Sequence, residues 1–291
     1  MIQWYRSKGR ALPWRNTRDP YAVFIAEIML QQTQVNRVIP KWYSFLSLYP
    51  NWASLASAPP AGLIRQWVGL GYNNRVIRAR KTAQIVQKQY HGRLPSAPEL
   101  LEALPGIGKY TSAAIQCFAF GKSVPVVDVN VNRVLTRFYG ITTTQKPTHI
   151  RELANQALPK KDTYEWNQAL MDIGASICKA KTINCTICPL TKSCSTSSAG
   201  TTPVIFPSNA SQGKYLGSNR YYRGRILNLL KLHMQNRKLG LDQLSTALQQ
   251  NTSDNNMEQI KKALQGLQRD ELVDLHPNYK EPTHVSLPKH L

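Results

Sequence analysis

Four of the chain's five cysteines, Cys178, Cys185, Cys188 and Cys194, fall within seventeen residues in the spacing C-x6-C-x2-C-x5-C. Four thiolates at such short range can close a tetrahedral zinc site or hold a [4Fe–4S] cluster. Zinc frameworks favour two C-x2-C pairs and only one occurs here, so the spacing leaves both metals open. A disulfide framework is the weaker reading. The sequence shows no leader of charged then apolar residues and no apolar run long enough to span a bilayer, which points to a reducing, cytoplasmic setting away from membranes. Cys117 stands apart in an apolar stretch and reads as an inert core residue.

Two carboxylates have contrasting surroundings. Glu27 lies inside Val23-Phe-Ile-Ala-Glu-Ile-Met-Leu30, an apolar helical stretch. Facing a pocket there, it would be desolvated and protonated near neutrality, ready to act as a general acid; facing water, it would be an ordinary surface charge. Asp128 follows Val124-Pro-Val-Val127 and precedes Val129-Asn-Val-Asn-Arg-Val-Leu135, the position of a helix N-cap, where amides and the helix dipole hold an anion. A proton donor and a stable anion are the pair that glycosidic-bond cleavage needs, since the leaving group takes a proton while positive charge builds on the sugar. Capping alone also explains Asp128, and the sequence does not bring the two face to face.

The segment Leu104-Pro-Gly-Ile-Gly-Lys-Tyr-Thr-Ser-Ala-Ala114 reads as a helix-hairpin-helix. Gly106 and Gly108 are expected to adopt backbone conformations closed to other residues and to leave amide groups bare at the start of the next helix, a place for a DNA phosphate. Such a turn is also ordinary punctuation between helices. The charge balance favours the phosphate, because 37 Lys and Arg against 16 Asp and Glu give a formal net charge of +21.

These groups must be positioned by helices. At 291 residues and 42% hydrophobic content the chain can bury two cores. Helical spacing recurs over residues 21–45, 63–68, 74–90, 110–120, 129–139 and 164–177, and strand alternation is scarce. The N-terminal unit, residues 1–194, should be an all-α assembly of roughly ten helices with the metal beyond the last one. Residues 195–219 read as a linker. Residues 220–291 show three helical patterns, near 223–232, 241–248 and 257–267, then short apolar runs at 272–275 and 283–287 around Pro277 and Asn278. Three helices and a two-strand wing suggest a small winged-helix-like α+β domain. Its Lys261, Lys262 and Arg269 would suit phosphate contacts, and a packing or protein-binding role is equally open.

Taken in order, Leu12-Pro-Trp-Arg15, Glu27-Ile-Met-Leu-Gln-Gln-Thr-Gln-Val35, Gly69-Leu-Gly-Tyr72, Leu104-Pro-Gly-Ile-Gly108, Asp128-x-Asn130-x-x-Arg133-Val134 and the four cysteines resemble the helix-hairpin-helix DNA glycosylases, and within them the MutY-type adenine glycosylases. The resemblance runs from about Trp4 to Cys194. It implies a mainly α fold, a [4Fe–4S] cluster on the four cysteines with zinc as the minor alternative, and a monomer acting on double-stranded DNA that contains a mispaired or damaged base. It makes Glu27 the acid that protonates adenine, Asp128 the carboxylate that stabilises an oxocarbenium-like sugar, and Asn130 its polar neighbour. Gln32 and Tyr72 become residues inserted into the base stack. From the residues alone, Gln32 reads as a solvated helix face and Tyr72 as a core aromatic.

Relatives that also nick the strand carry a lysine where this chain has Tyr110, and a phenol forms no Schiff base. The resemblance therefore implies a monofunctional enzyme, with Lys109 serving the phosphate-binding hairpin. Tyrosine there also occurs in thymine-removing relatives, so a thymine or uracil mismatch glycosylase remains the alternative, and a non-catalytic DNA-binding iron–sulfur protein is the rival of another class. Three departures bear on specificity: Val129 replaces the usual glycine, Asn73 the usual second tyrosine, and the C-terminal region does not resemble the Nudix-like domain that contacts 8-oxoguanine. A cytoplasmic, nucleoid-associated location follows from these readings.

Overall fold

The computed structural model describes residues 1–141, 147–198, 214–232, 238–249, 257–277 and 282–289. In chain order the helices are α1 (Ile2–Lys8), α2 (Pro20–Leu30), α3 (Val35–Leu48), α4 (Trp52–Ser57), α5 (Pro60–Trp67), α6 (Asn74–Tyr90), α7 (Pro98–Glu102), α8 (Lys109–Phe118), α9 (Val129–Phe138), α10 (Pro147–Gln156), α11 (Thr163–Ser176) and the short α12 (Ser195–Ser198). They are followed by α13 (Asn219–Leu232), β1 (Leu239–Gly240), α14 (Leu241–Gln249), α15 (Met257–Arg269), β2 (Asp274–His276) and β3 (His284–Ser286). Among the described residues no helix is long and apolar enough to cross a membrane.

Local chemistry sets several helix ends. Asn51 and Ser54 form a reciprocal capping box at the start of α4, and α5 and α7 begin with prolines, whose missing N–H has no intrahelical partner to lose. The apolar periodicity over 21–45 is split into α2 and α3, because Gln32 takes a left-handed backbone (φ 54°) that no helix can continue through.

The chain forms two compact units, Met1–Phe24 with Pro95–Ala103 and Ile107–Ser211, and Ile25–Leu94 with Leu104–Gly106 and Gln212–Leu291. In the first, α9 and α11 bury Val131, Val134, Leu135, Leu170 and Ile173 in one cluster, and Val23, Ala114, Cys117, Phe118 and Val126 form another. In the second, α4 and α5 pack on α6 through Leu55, Leu63, Ile64, Trp67, Val76, Ala79 and Val86, each less than 1% exposed. A buried aliphatic or aromatic side chain of this size contributes about 1.5–3 kcal/mol.

The C-terminal segment runs helix, strand, helix, helix, strand, strand, with an antiparallel sheet ordered β1-β3-β2. That connectivity is the winged-helix arrangement. The strand missing from the sequence expectation is β1, whose two residues are too few to show alternation. Asn278 and residues 199–213 of the expected linker lie outside the described residues.

One buried charge ties the N-terminal segment to α11. Asp172, 1% exposed, accepts from the Arg10 amide at 2.8 Å and Nε at 2.6 Å, and from both terminal nitrogens of Arg15 at 2.8 Å. Burial pushes its carboxyl up, but hydrogen bonds and charge from Arg15, then Arg10, outweigh this and hold it below the usual 3.8. Because the folded value is the lower one, the pair's contribution is complete above about pH 4 and fades as pH falls through the folded value. Asp172→Asn, which leaves Arg15 without its counter-charge, should cost about 3–5 kcal/mol in denaturant unfolding at pH 7. The deficit should shrink in acid, and an equal deficit at pH 3 and pH 7 would contradict this account.

Candidate active site and metal centre

In the first unit, Asp128 caps α9. Its Oδ1 accepts from the amides of Asn130 (2.9 Å) and Val131 (2.7 Å), and Oδ2 accepts from Asn130 Nδ2 at 2.8 Å. With its lone pairs so engaged, the carboxylate has one orientation. The contacts continue through the Asn130 side chain, whose Oδ1 accepts from Arg133 Nη2 (2.8 Å), while Arg133 Nε donates to the Cys178 carbonyl (2.8 Å) and Nη2 to the Gly174 carbonyl (2.6 Å). A chain of hydrogen bonds thus joins Asp128 to the backbone of a cysteine in the four-thiol cluster.

The four thiols, Cys178, Cys185, Cys188 and Cys194, line one cavity walled also by Arg137, Ile177 and Ile183. Among the described residues no three His, Cys, Asp or Glu side chains converge closely enough to ligate a single ion. Burial pushes the Cys188 thiol up and, although its backbone hydrogen bond opposes this, the other three sulfurs push the same way. Arg137 Nη1 lies 3.3 Å from Cys178 Sγ and also donates to the Lys179 carbonyl at 2.7 Å. Four cysteine sulfurs around one cavity are a donor set that suits a metal group. Cys117 is 1% exposed and its thiol is pushed up to about 11 by burial, which confirms an inert core cysteine.

Lys109 and Tyr110 open α8, Lys109 exposed and Tyr110 half-buried. The hairpin glycines differ. Gly106 has φ +85°, the left-handed region that favours glycine, whereas Gly108 has φ −101° and ψ −178°, extended backbone open to any residue. The expectation that both need special conformations is corrected for Gly108. What its missing side chain provides is open space, since a Cβ there would meet nothing within 4 Å, so a ligand can approach the amides of the first turn.

In the second unit, Glu27 sits on α2 at 5% exposure. It is therefore a buried carboxyl rather than a surface charge. Gln32 and Tyr72 are exposed, both on left-handed backbone at φ 54° and 46°. Tyr72 is 45% exposed, so the core-aromatic reading of it is wrong, and Gln32 lies in the turn after α2 rather than on a helix face. The structure thus brings Asp128 together with Asn130 and gathers the four cysteines, while Glu27 belongs to the other unit with Gln32, Tyr72 and Gly106.

Residues 25–160 match the HhH-GPD superfamily of base excision DNA repair proteins. A protein of Mycobacterium tuberculosis named adenine DNA glycosylase is 36% identical over 236 residues, 79% of this chain and 77% of that protein. The chain belongs to the adenine DNA glycosylases of the HhH-GPD superfamily. Among solved structures, a thermostable thymine-DNA glycosylase superposes with TM-score 0.63 at 31% identity over 68% of this chain and 93% of its own. A trapped endonuclease III–DNA intermediate, TM-score 0.60 at 21% identity over 68% and 93%, has the same fold.

Within this glycosylase fold, Val129 is 69% exposed beside Asp128, so the bulk that replaces the family's usual glycine stands in solvent and crowds no core. Sequence reasoning missed Gly174. A Cβ there would lie 2.7 Å from Asn130 Cβ and 2.9 Å from the Asn130 carbonyl oxygen, so α11 carries glycine where it touches the start of α9. A glycine inside an apolar helical run was the available signal. Gly174→Ala should displace Asn130 and lower base release roughly tenfold or more, an expectation based on the cost of misplacing a reacting group. Single-turnover kinetics checks this, and an unchanged rate would mean that the close contact leaves Asp128 in place.

Proposed function

We propose that this enzyme is a monofunctional DNA glycosylase of base excision repair that removes adenine mispaired with 8-oxoguanine or guanine by hydrolysing the N-glycosidic bond. The observation that carries the chemistry is the carboxylate of Asp128, held by three hydrogen bonds from Asn130 and Val131 where it can face a positive sugar. Likeness over four fifths of the chain to proteins named adenine DNA glycosylase supports the base. Glu27 gives its proton to the adenine, and its burial supports this, because lost hydration disfavours a carboxylate anion. Asp128 steadies the oxocarbenium-like sugar until water adds. Tyr110 in place of an amine supports hydrolysis without strand nicking.

Gln32 and Tyr72 enter the base stack, and Gly106, Gly108 and Lys109 hold a phosphate of double-stranded DNA, as the +21 charge favours. The four cysteines would hold a [4Fe–4S] cluster, whose role when bound is to fix the loop carrying exposed Lys179, Lys181 and Lys192. In this reading residues 1–194 form the glycosylase domain, 195–219 the linker, and 220–291 a winged-helix-like domain whose exposed Lys261, Lys262 and Arg269 meet phosphates. The enzyme acts as a cytoplasmic, nucleoid-associated monomer with no membrane contact.

The resemblance to a thymine-DNA glycosylase at 31% identity favours a second reading, a thymine or uracil mismatch enzyme. Single-turnover release from duplexes carrying A:8-oxoG, A:G, A:C, T:G or U:G separates the two. Cleavage at adenine that appears only after alkali is the expected result. Cleavage at thymine or uracil would move the assignment to the mismatch branch, and none anywhere would leave a DNA-binding protein.

A further inference from the structure

Arg75, in the first turn of α6, is 5% exposed, and among the described residues no carboxylate pairs with it. Its guanidinium lies over the rings of Trp67 (5.4 Å) and Tyr72 (5.9 Å), and its hydrogen-bond partners are oxygens on three short segments. Nη1 donates to the carbonyls of Ile28 (2.7 Å), Met29 (2.9 Å) and Gln31 (2.6 Å), at the end of α2. Nη2 donates to the carbonyls of Leu70 (3.1 Å) and Gly71 (2.7 Å) and to Thr33 Oγ1 (3.1 Å), and Nε reaches the Tyr72 carbonyl at 3.2 Å. Thr33 Oγ1 in turn donates to the Leu70 carbonyl at 2.9 Å. A single planar fork therefore holds the C-terminal end of the helix bearing Glu27, the turn bearing Gln32 and the turn bearing Tyr72.

These turns need holding. Gln32 and Tyr72 occupy left-handed backbone that costs a residue with a side chain free energy, and Gly69 and Gly71 flank Leu70 with φ +101° and +76°. Left to themselves, such turns would relax. The C-terminal end of α2 is the negative end of its dipole, so a buried cation is stabilised there without a counter-ion. Arginine brings five donors in a rigid fork to these seven acceptors, so some are shared, whereas lysine offers three donors from a single point.

We infer that Arg75 is the positioning residue that sets the insertion of Gln32 and Tyr72 into DNA, acting through the carbonyls of the two turns. The inference rests on the reading of Gln32 and Tyr72 as inserted residues. The test uses the full-length protein and a duplex with 2-aminopurine beside the target adenine, whose fluorescence rises when stacking is broken. Arg75→Lys should lower that signal and slow single-turnover release roughly tenfold or more at saturating enzyme, with affinity for undamaged duplex unchanged. Added to Tyr72→Ala, Arg75→Lys should have little further effect, because both act on one event. Should Arg75→Lys fail to fold, Thr33→Val, which removes only one hydroxyl bridge between the turns, should show the same loss to a smaller degree.

The outcomes separate. If Tyr72→Ala and Gln32→Ala both leave fluorescence and rate at wild-type values, the insertion reading is wrong and this inference goes with it. If they reduce both while Arg75→Lys, or Thr33→Val in its place, behaves as wild type, Arg75 does not position them. Fully additive losses from Arg75→Lys and Tyr72→Ala would likewise overturn the proposal, since a merely structural role predicts additivity.

Discussion

Glu27→Gln should cripple base release while duplex binding persists: the single-turnover rate should fall roughly 10³-fold, within the range set by general acid catalysis and equal to about 4 kcal/mol of barrier. Glutamine matches glutamate in shape, so packing around this 5% exposed position on α2 survives, and only the transferable proton is lost. A melting temperature close to wild type with an intact DNA-binding isotherm would place the loss in chemistry. A variant within tenfold of the wild-type rate would remove Glu27 from the proton transfer and leave its burial a matter of packing.

Asp128→Asn carries the second large effect. Asparagine is as good an N-cap as aspartate, and its side-chain oxygen can still accept from the Asn130 and Val131 amides, so α9 should start where it does now, but its amide nitrogen faces Asn130 Nδ2 and the lost hydrogen bond should cost about 1–2 kcal/mol. What disappears besides is the negative charge that the proposed mechanism sets against the sugar. Base release should drop roughly 10²- to 10³-fold, the scale of a lost preorganised electrostatic contact. Measured together, rate and denaturant midpoint distinguish the roles. A loss of rate well beyond the small shift in midpoint assigns Asp128 to catalysis, and losses of equal free energy would reduce it to a cap.

Much of the site was legible before the fold was seen, and the legible parts are local. Asp128 as an N-cap needs only the next three residues, whose amides it accepts. Gly106 was readable as a turn residue because a left-handed backbone is a property of the residue and its neighbours. The cysteine spacing already placed four thiols on one loop, and the structure finds them around one cavity. Gly108 was misjudged because a glycine can serve open space as well as φ, and sequence does not say which. Tyr72 was misjudged from the residues alone because aromaticity predicts burial on average, whereas its turn turns the ring outward.

The sequence by itself determined the helical class, the caps, the thiol spacing and the basic charge, since each depends on residue type at separations of a few positions. Only the tertiary structure decided which polar groups are buried and with whom. Asp172 meets Arg10 and Arg15 across 162 and 157 positions, and Arg75 gathers carbonyls from 44 to 47 positions upstream and a hydroxyl 42 upstream, as well as oxygens of its own turn. A backbone carbonyl has the same chemistry at every position, so nothing in the order of residues marks the ones that will receive a guanidinium. Their selection comes from how the helices pack, when burial makes an unsatisfied carbonyl costly and a distant arginine comes within reach as a donor.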